Sequence, residues 1–539
     1  MHARQTEQPT GYREKSRIAR ATGIMAIATL LSRFAGLVRD IVVGTVFGAG
    51  FATDAFFVAF TIPNLLRRFF AEGSLTAAFV PTFTDVYQHD GVDAARKMAR
   101  ICWTLLLCVM VCVTVLGVLA SPWIVQLIGY GFADTAGKLA LTDLLNRIMF
   151  PYIFFVSLLA LFAGILNVCG HFLMPALSPL LLNLAMIACA LVLAPQLDQP
   201  ILALAVGVVV GGVVQLVMQM PAIYRCGFDL RFDFYFRHPA VTKVAWLMLP
   251  GLAGVAIYQI NVVVTRLLAS FLPEGSVSWL YYGQRLFEFP QGIFVVSLAQ
   301  AVLPTMSRQQ AVDDLQGFQE SLRFALVLIA IITLPASIGL ILCSDAVYSL
   351  FFMRGAFTAF DVSQSAAALI WYAPGLLFVG ISRVTAPAFY ALKDTRTPVK
   401  ISFWTLLINV AAGLLLMQVM GHAGLALALT LATVFNAVVL IWLLGLRLNQ
   451  FDFASIGHAL LRLTPGLFCM VLVVKFLLGF VNWMEPGDFW PRLGLLTAAI
   501  GLGGGSYGLL SLLCGVHEVR QAWRMLLQKV VPRSRGTNA

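Results

Sequence analysis

Arginine recurs in this chain where hydrocarbon should exclude it. The stretch SRFAGLVRD sets Arg33, Arg39 and Asp40 inside the first long apolar run, and TDAFFVAFTIPNLLRRFFAEG sets Asp54, Arg67, Arg68 and Glu72 inside the second. A guanidinium offers a planar fork of donors that matches the oxygens of phosphate or carboxylate. Ionisable groups at bilayer depth cost several kcal/mol on insertion scales, so they normally face a protein interior or a water-filled cavity. The chemistry indicated is the non-covalent holding of an anionic cargo within a membrane protein.

The elements that must position these side chains are membrane spans. Hydrophobic residues make up 60% of the 539 and charged residues only 11%, with a mean hydropathy of +0.88. A soluble protein of that composition could not cover its surface. Apolar runs of roughly 20 residues, enough to cross a hydrocarbon core of about 30 Å, recur from Thr22 to near Cys514. The sequence therefore predicts an all-α polytopic membrane protein with about fourteen transmembrane helices.

Loop charge supports that count. With the amino terminus inside, every second loop faces the cytoplasm and should collect Lys and Arg. The inside set holds Arg13, Lys15, Arg17 and Arg20, then Arg96, Lys97 and Arg100, then Arg225, Arg231, Arg237 and Lys243, with Arg308, Arg323, Lys393, Arg396, Lys400, Arg447, Arg462 and a basic tail following. The outside set has little beyond Lys138, Arg354 and Arg492. The net charge of +11 thus reads as topology and contact with anionic headgroups rather than nucleic-acid binding. Residues 1–21 are polar and lead into a span lacking a small-residue cleavage site, so insertion as a multi-pass protein into a plasma or bacterial inner membrane, both termini cytoplasmic, is expected.

Several function classes are disfavoured. There is no GxxxxGK[ST] phosphate loop, and the run GLGGGSYG at 501–508 reads better as close helix packing. The seven histidines are scattered, His517-Glu518 lacks the second histidine of a zinc-protease helix, and the nine cysteines contain no CxxC pair. No metal or cofactor is expected, and a transporter is favoured over an enzyme.

An internal repeat supplies a second set of charges. Pro63 followed by FVPTF at 79–83 resembles Pro290 followed by VLPTM at 302–306, which implies a repeat of six spans related by an axis along the membrane normal. The expected organisation is a cytoplasmic segment 1–21, an N-lobe 22–224, a linker 225–240, a C-lobe 241–446, two further spans in 447–515 and a cytoplasmic tail 516–539. The second half adds Arg266, Arg285, Glu288 and Arg383. Each charge also has a structural alternative, as a snorkelling or paired group, and this weighs most for Arg39 with Asp40, Arg68 and Glu72. Asp54 is the expected orienting partner of one arginine.

SRFAGLVRD, FGAGFATDAFFVAFTIPNLLRRFFAEG, AAFVPTF, GSVSWLYYGQRLFEFPQG and the ALKDTRTPVK loop resemble the bacterial lipid II flippase family, MurJ or MviN, of the MOP superfamily. The resemblance runs along nearly the whole chain and is most specific in the first hundred residues. It implies two six-helix lobes plus two helices lining a groove for a lipid tail. It also implies translocation of undecaprenyl-diphosphate-linked disaccharide pentapeptide, lipid II, from the cytoplasmic to the periplasmic leaflet for peptidoglycan synthesis. By motif it assigns cargo binding to Arg33, Arg39, Asp54, Arg67, Glu72, Arg285, Glu288 and Arg383. The chain departs from the enterobacterial pattern at Gln284, where an aspartate often stands, and at Arg383, where a lysine can stand.

The partners so implied are lipid II and membrane lipids, with the cell-wall synthesis machinery as an open addition. Membrane potential and a coupled monovalent cation are both compatible energy sources. Alternatives are an exporter of another lipid-linked oligosaccharide, a MATE-like antiporter, or a membrane glycan polymerase. Arginine dominance disfavours the antiporter, and short outer loops such as NWMEPGDFW disfavour the polymerase.

Overall fold

A computed structural model describes residues 10–69, 75–448, 451–485 and 487–515, and every regular element among them is helical. The chain divides into two compact units, Met1–Phe271 and Leu272–Ala539. Among the described residues nine helices are long and apolar enough to cross a membrane, or up to ten if a bent pair counts as one span. The two units belong to an integral membrane protein built from helices alone, because in lipid a helix satisfies its own backbone donors and acceptors.

The first unit contains α1 (Thr10–Phe47), α2 (Phe51–Phe69), α3 (Leu75–Asp85), α4 (Gly91–Leu119), α5 (Ser121–Ile128), α6 (Lys138–Met149), α7 (Tyr152–Val168), α8 (Leu173–Val192), α9 (Leu202–Arg225) and α10 (Pro239–Ser270). The unit boundary places α10 with the helices before the linker. There α10 packs on α2 and α3, while α1 lies against α8 and α2 against α6. An aromatic core joins them. Phe79 stacks on Phe83 with centroids 5.0 Å apart, Trp103 on Phe162 at 5.4 Å, and Phe83 meets Phe228 of the linker at 5.6 Å. Lipid tails are as apolar as these rings, so tight packing rather than escape from water holds such helices together.

The second unit contains α11 (Ser276–Pro290), α12 (Val296–Ala311), α13 (Leu315–Phe352), α14 (Ala359–Tyr372), α15 (Gly375–Ala391), α16 (Arg396–Arg447), α17 (Phe453–Leu478) and α18 (Phe489–Leu513). Its starts are chemically explicit. Thr358 and Asp361 form a reciprocal capping box at α14, Asp314 accepts from Gly317 N at 2.9 Å at α13, and Asp452 accepts from Ser455 N at 3.0 Å at α17. The eleventh and twelfth predicted spans both fall within α16, where two helical stretches meet at a break at Gly421 with φ 57° and ψ −134°. An L side chain rarely adopts that backbone conformation, so the kink requires glycine.

The glycine run at 501–508 departs from its expected role. Only Gly503 is tightly packed, with a Cβ there falling 2.5 Å from Val474, whereas Gly501, Gly504, Gly505 and Gly508 meet nothing within 4 Å. Gly466 on α17 also faces α18 closely, for a Cβ there would lie 2.9 Å from the backbone Tyr507 O.

Long-range bonds within each unit pair up loops as the charge alternation requires. Arg96, from the predicted inner loop after α3, donates to Gly227 O of the linker at 2.8 Å. Gln319 at the start of α13 donates to Leu448 O at 2.6 Å, and Arg447 pairs with Asp394 at 2.6 Å. At the opposite ends, Gly131 N donates to Ser270 Oγ at 3.0 Å and Ser349 bonds Trp483 O. Loops predicted to share a membrane face therefore touch within each unit.

The linker is clamped by a carboxylate. Arg100 donates through Nε and Nη2 to Asp229, and that hydrogen-bonded guanidinium holds the Asp229 carboxyl below the ordinary carboxylate range. A carboxyl depressed by folding adds stability above its unfolded pKa, and the contribution is lost as pH falls through the depressed value. Limited proteolysis of residues 226–238 should therefore accelerate on acidification below the carboxylate range. Arg100→Gln should give the same acceleration at neutral pH. Equal cleavage of variant and wild type at neutral pH would refute the clamp.

Candidate functional site

The arginines of α1 have different environments although six residues separate them on one continuous helix. Arg39 is 7% exposed. It donates through Nε and Nη2 to Asp40 Oδ1 at 3.0 and 2.6 Å and through Nη1 to Asn183 Oδ1 at 3.1 Å. Asn183 Nδ2 in turn donates to Ser32 O at 3.2 Å, so a polar circuit fastens α1 to α8. Arg33 is half-buried and makes no hydrogen bond or ion pair with any described residue. No described residue engages its donors, which is the state an anion receptor needs.

Asp54 sits in the first turn of α2, which follows Gly48 at φ 68° and a bond from Gly50 N to Thr53 Oγ1 at 2.8 Å. It is 1% exposed and pairs with Lys138 Nζ at 2.9 Å. Lys138, at the first turn of α6, is 3% exposed, and its ammonium lies 4.4 Å from the Phe132 ring centroid and 5.8 Å from that of Phe51. Lys138 had appeared in the sequence only as one of a few outer basic residues, with no spacing to suggest its partner.

Lower on α2, Arg67 donates through Nε and Nη2 to Asn64 Oδ1 at 3.1 and 2.9 Å. An amide one turn away aims the guanidinium. Asn64 was findable from its i, i+3 spacing to Arg67. Glu72 lies outside the described residues.

In the second unit Glu288 gathers two partners on α11. Arg285 Nη1 lies 3.7 Å from Glu288 Oε2, and Gln284 Nε2 donates to Glu288 Oε1 at 3.1 Å. Gln284 thus supplies an amide that orients Glu288. The Arg285 and Glu288 side chains are about one-third exposed, at 36% and 37%. Arg383 on α15 is exposed and makes no ion pair or hydrogen bond with a described residue. Among the described residues no cluster of His, Cys, Asp and Glu could hold a metal ion.

A family model described as lipid II flippase MurJ matches residues 43–492. The chain belongs to the MurJ family. It is 36% identical to a probable lipid II flippase MurJ of Vibrio cholerae over 93% of this chain and 97% of that protein. It is 34% identical to the lipid II flippase MurJ of Burkholderia cenocepacia over 88% of this chain and 92% of that one. A solved structure of lipid II flippase MurJ in an inward closed conformation aligns with a TM-score of 0.74 and 26% identity, covering 93% of this chain and 99% of that one. An inward-facing MATE family transporter of the MOP superfamily aligns at 0.65 with 14% identity over 81% of this chain and 99% of its own, a likeness of fold alone. The family match spans Asp54, Arg67, Arg285, Glu288 and Arg383, whereas Arg33 and Arg39 precede it.

Proposed function

We propose that the chain is a lipid II flippase that moves the undecaprenyl-diphosphate-linked precursor from the cytoplasmic to the periplasmic leaflet by alternating access. The observation that carries this reading is similarity to MurJ proteins along most of the chain. The site chemistry agrees with it. A diphosphate headgroup is too costly to carry through hydrocarbon bare, and forked donors of the kind its oxygens require are offered by Arg33 and Arg67 in the first unit and by Arg285 in the second. Arg383 is the fourth such group. Arg39 and Asp54 act at one remove, by fixing the helices that carry Arg33 and Arg67. The prenyl tail stays in lipid while the headgroup crosses.

Release on the far side needs an asymmetry, since arginines that attract an anion also retain it. The membrane potential supplies about 2.3 kcal/mol per charge per 100 mV, and a co-transported monovalent cation could act in its place. Both termini face the cytoplasm in this scheme. The test is a proteoliposome assay in which lipid II, loaded with the protein, is attacked from outside by an impermeant hydrolase that cleaves the bond between the prenyl chain and the diphosphate-linked headgroup. Cleavage beyond the half initially exposed should accelerate with wild type. Cleavage stopping at the outer half, with the protein folded and inserted, would refute the function.

A further inference from the structure

Three basic residues break the charge alternation on the outer side, and Lys138 is accounted for by Asp54. The other two, Arg354 and Arg492, line one pocket of about 470 Å³ in the second unit. It lies where the loop after α13 meets the loop between α17 and α18. Arg354 is exposed, donates through Nη2 to Leu350 O at 3.0 Å and stands 5.0 Å from the Phe489 ring centroid. Arg492 is 9% exposed, donates through Nη2 to Asn482 O at 3.1 Å and stands 5.8 Å from the Trp483 ring centroid.

Neither guanidinium forms an ion pair with a described carboxylate, and each retains donors beyond the one carbonyl it binds. The nearby Glu485 is engaged by Asn482 Nδ2 at 2.8 Å. The walls are fixed: Ser349 bonds Trp483 O, and a Cβ at Gly487 would fall 2.5 Å from Arg492 Nε, so only glycine leaves room for that guanidinium. Two like charges held in one recess without a counter-ion attract an anion. The neighbouring side chains are also informative, because Phe489 lines the pocket, Trp483 stands beside Arg492 and Trp490, 76% exposed, packs on Phe489, and such aromatic residues gather at membrane interfaces, where lipid phosphates lie.

We propose that this pocket is an outer-face binding site for the phosphate of a lipid headgroup. It is separate from Arg33 and Arg285 and rests only on the transmembrane reading of the chain. The occupant is a resident anionic phospholipid or a prenyl diphosphate, which share the required chemistry.

Native mass spectrometry of the full chain in detergent, titrated with short-chain phosphatidylglycerol, farnesyl diphosphate or matched phosphatidylcholine, tests it. At least one anionic probe should bind at concentrations where phosphatidylcholine does not. Arg354→Gln, a change at an exposed side chain, should weaken that binding about tenfold, as expected for loss of a charge-assisted contact. Arg147→Gln, a change at an exposed residue of α6 outside both the pocket and the cargo site, should leave it unchanged. Binding of phosphatidylglycerol alone identifies a resident phospholipid, and binding of farnesyl diphosphate alone identifies a diphosphate lipid. Equal binding of phosphatidylcholine, or wild-type affinity in both Arg354→Gln and the charge-preserving but fork-deleting Arg492→Lys, would overturn the proposal.

Discussion

Replacing Lys138 by methionine is expected to destabilise the protein by about 3–5 kcal/mol, the range for removing one partner of a buried ion pair. The magnitude follows from burial on both sides: Asp54 is 1% exposed and Lys138 3%. Methionine fills similar volume, so most of the loss comes from the carboxylate left without its ammonium. The double variant Asp54→Asn with Lys138→Met removes the stranded charge and should recover much of the loss. Denaturant or thermal unfolding in one detergent measures all three proteins, and a double-mutant cycle isolates the pairing. A single variant within about 0.5 kcal/mol of wild type, the range of an ordinary surface change, would show that the pair does not hold α2 to α6.

The second large effect separates two arginines on one helix. Arg33→Gln should leave stability unchanged within about 0.5 kcal/mol, because no described residue depends on its donors. Transport should fall roughly 10- to 150-fold, corresponding to a lost charged hydrogen-bond set worth about 1.5–3 kcal/mol. Arg39→Gln should behave oppositely at first, lowering the melting temperature because Asp40, 1% exposed, loses its guanidinium and Asn183 loses its donor. Thermal stability and precursor translocation measured on both variants check the split. Equal loss of stability in both would mean that Arg33 is structural too.

How much of this was legible in the sequence depends on the range of the interaction. Apolar run length and loop charge located the spans, because insertion energetics act on local composition. The bonds from Arg96 to Gly227 and from Arg447 to Asp394 join loops that the alternation had placed on one face. Partners far apart in the chain left no such trace. Asn183 lies 144 residues from Arg39 and Lys138 lies 84 from Asp54, and no periodicity encodes either pairing.

Glycine misled in one place because its use depends on which helix face meets a neighbour. Gly503 packs while Gly501, Gly504, Gly505 and Gly508 on the same helix do not, and Gly466 packs against α18 from the other side. At Gln284 the chemistry was legible as a lost acid, but the bond to Glu288 that gives the amide a use appears only in three dimensions.

The central claim is that this chain carries lipid II across the membrane with Arg33 as an uncommitted anion receptor. The most direct measurement depletes the native protein in a host without a redundant flippase and assays which leaflet holds the lipid-linked precursor. Wild type should restore outer-leaflet precursor, and stably inserted Arg33→Ala or Arg285→Ala should not. Normal outer-leaflet precursor after depletion would contradict the function, and full restoration by both variants would contradict the site.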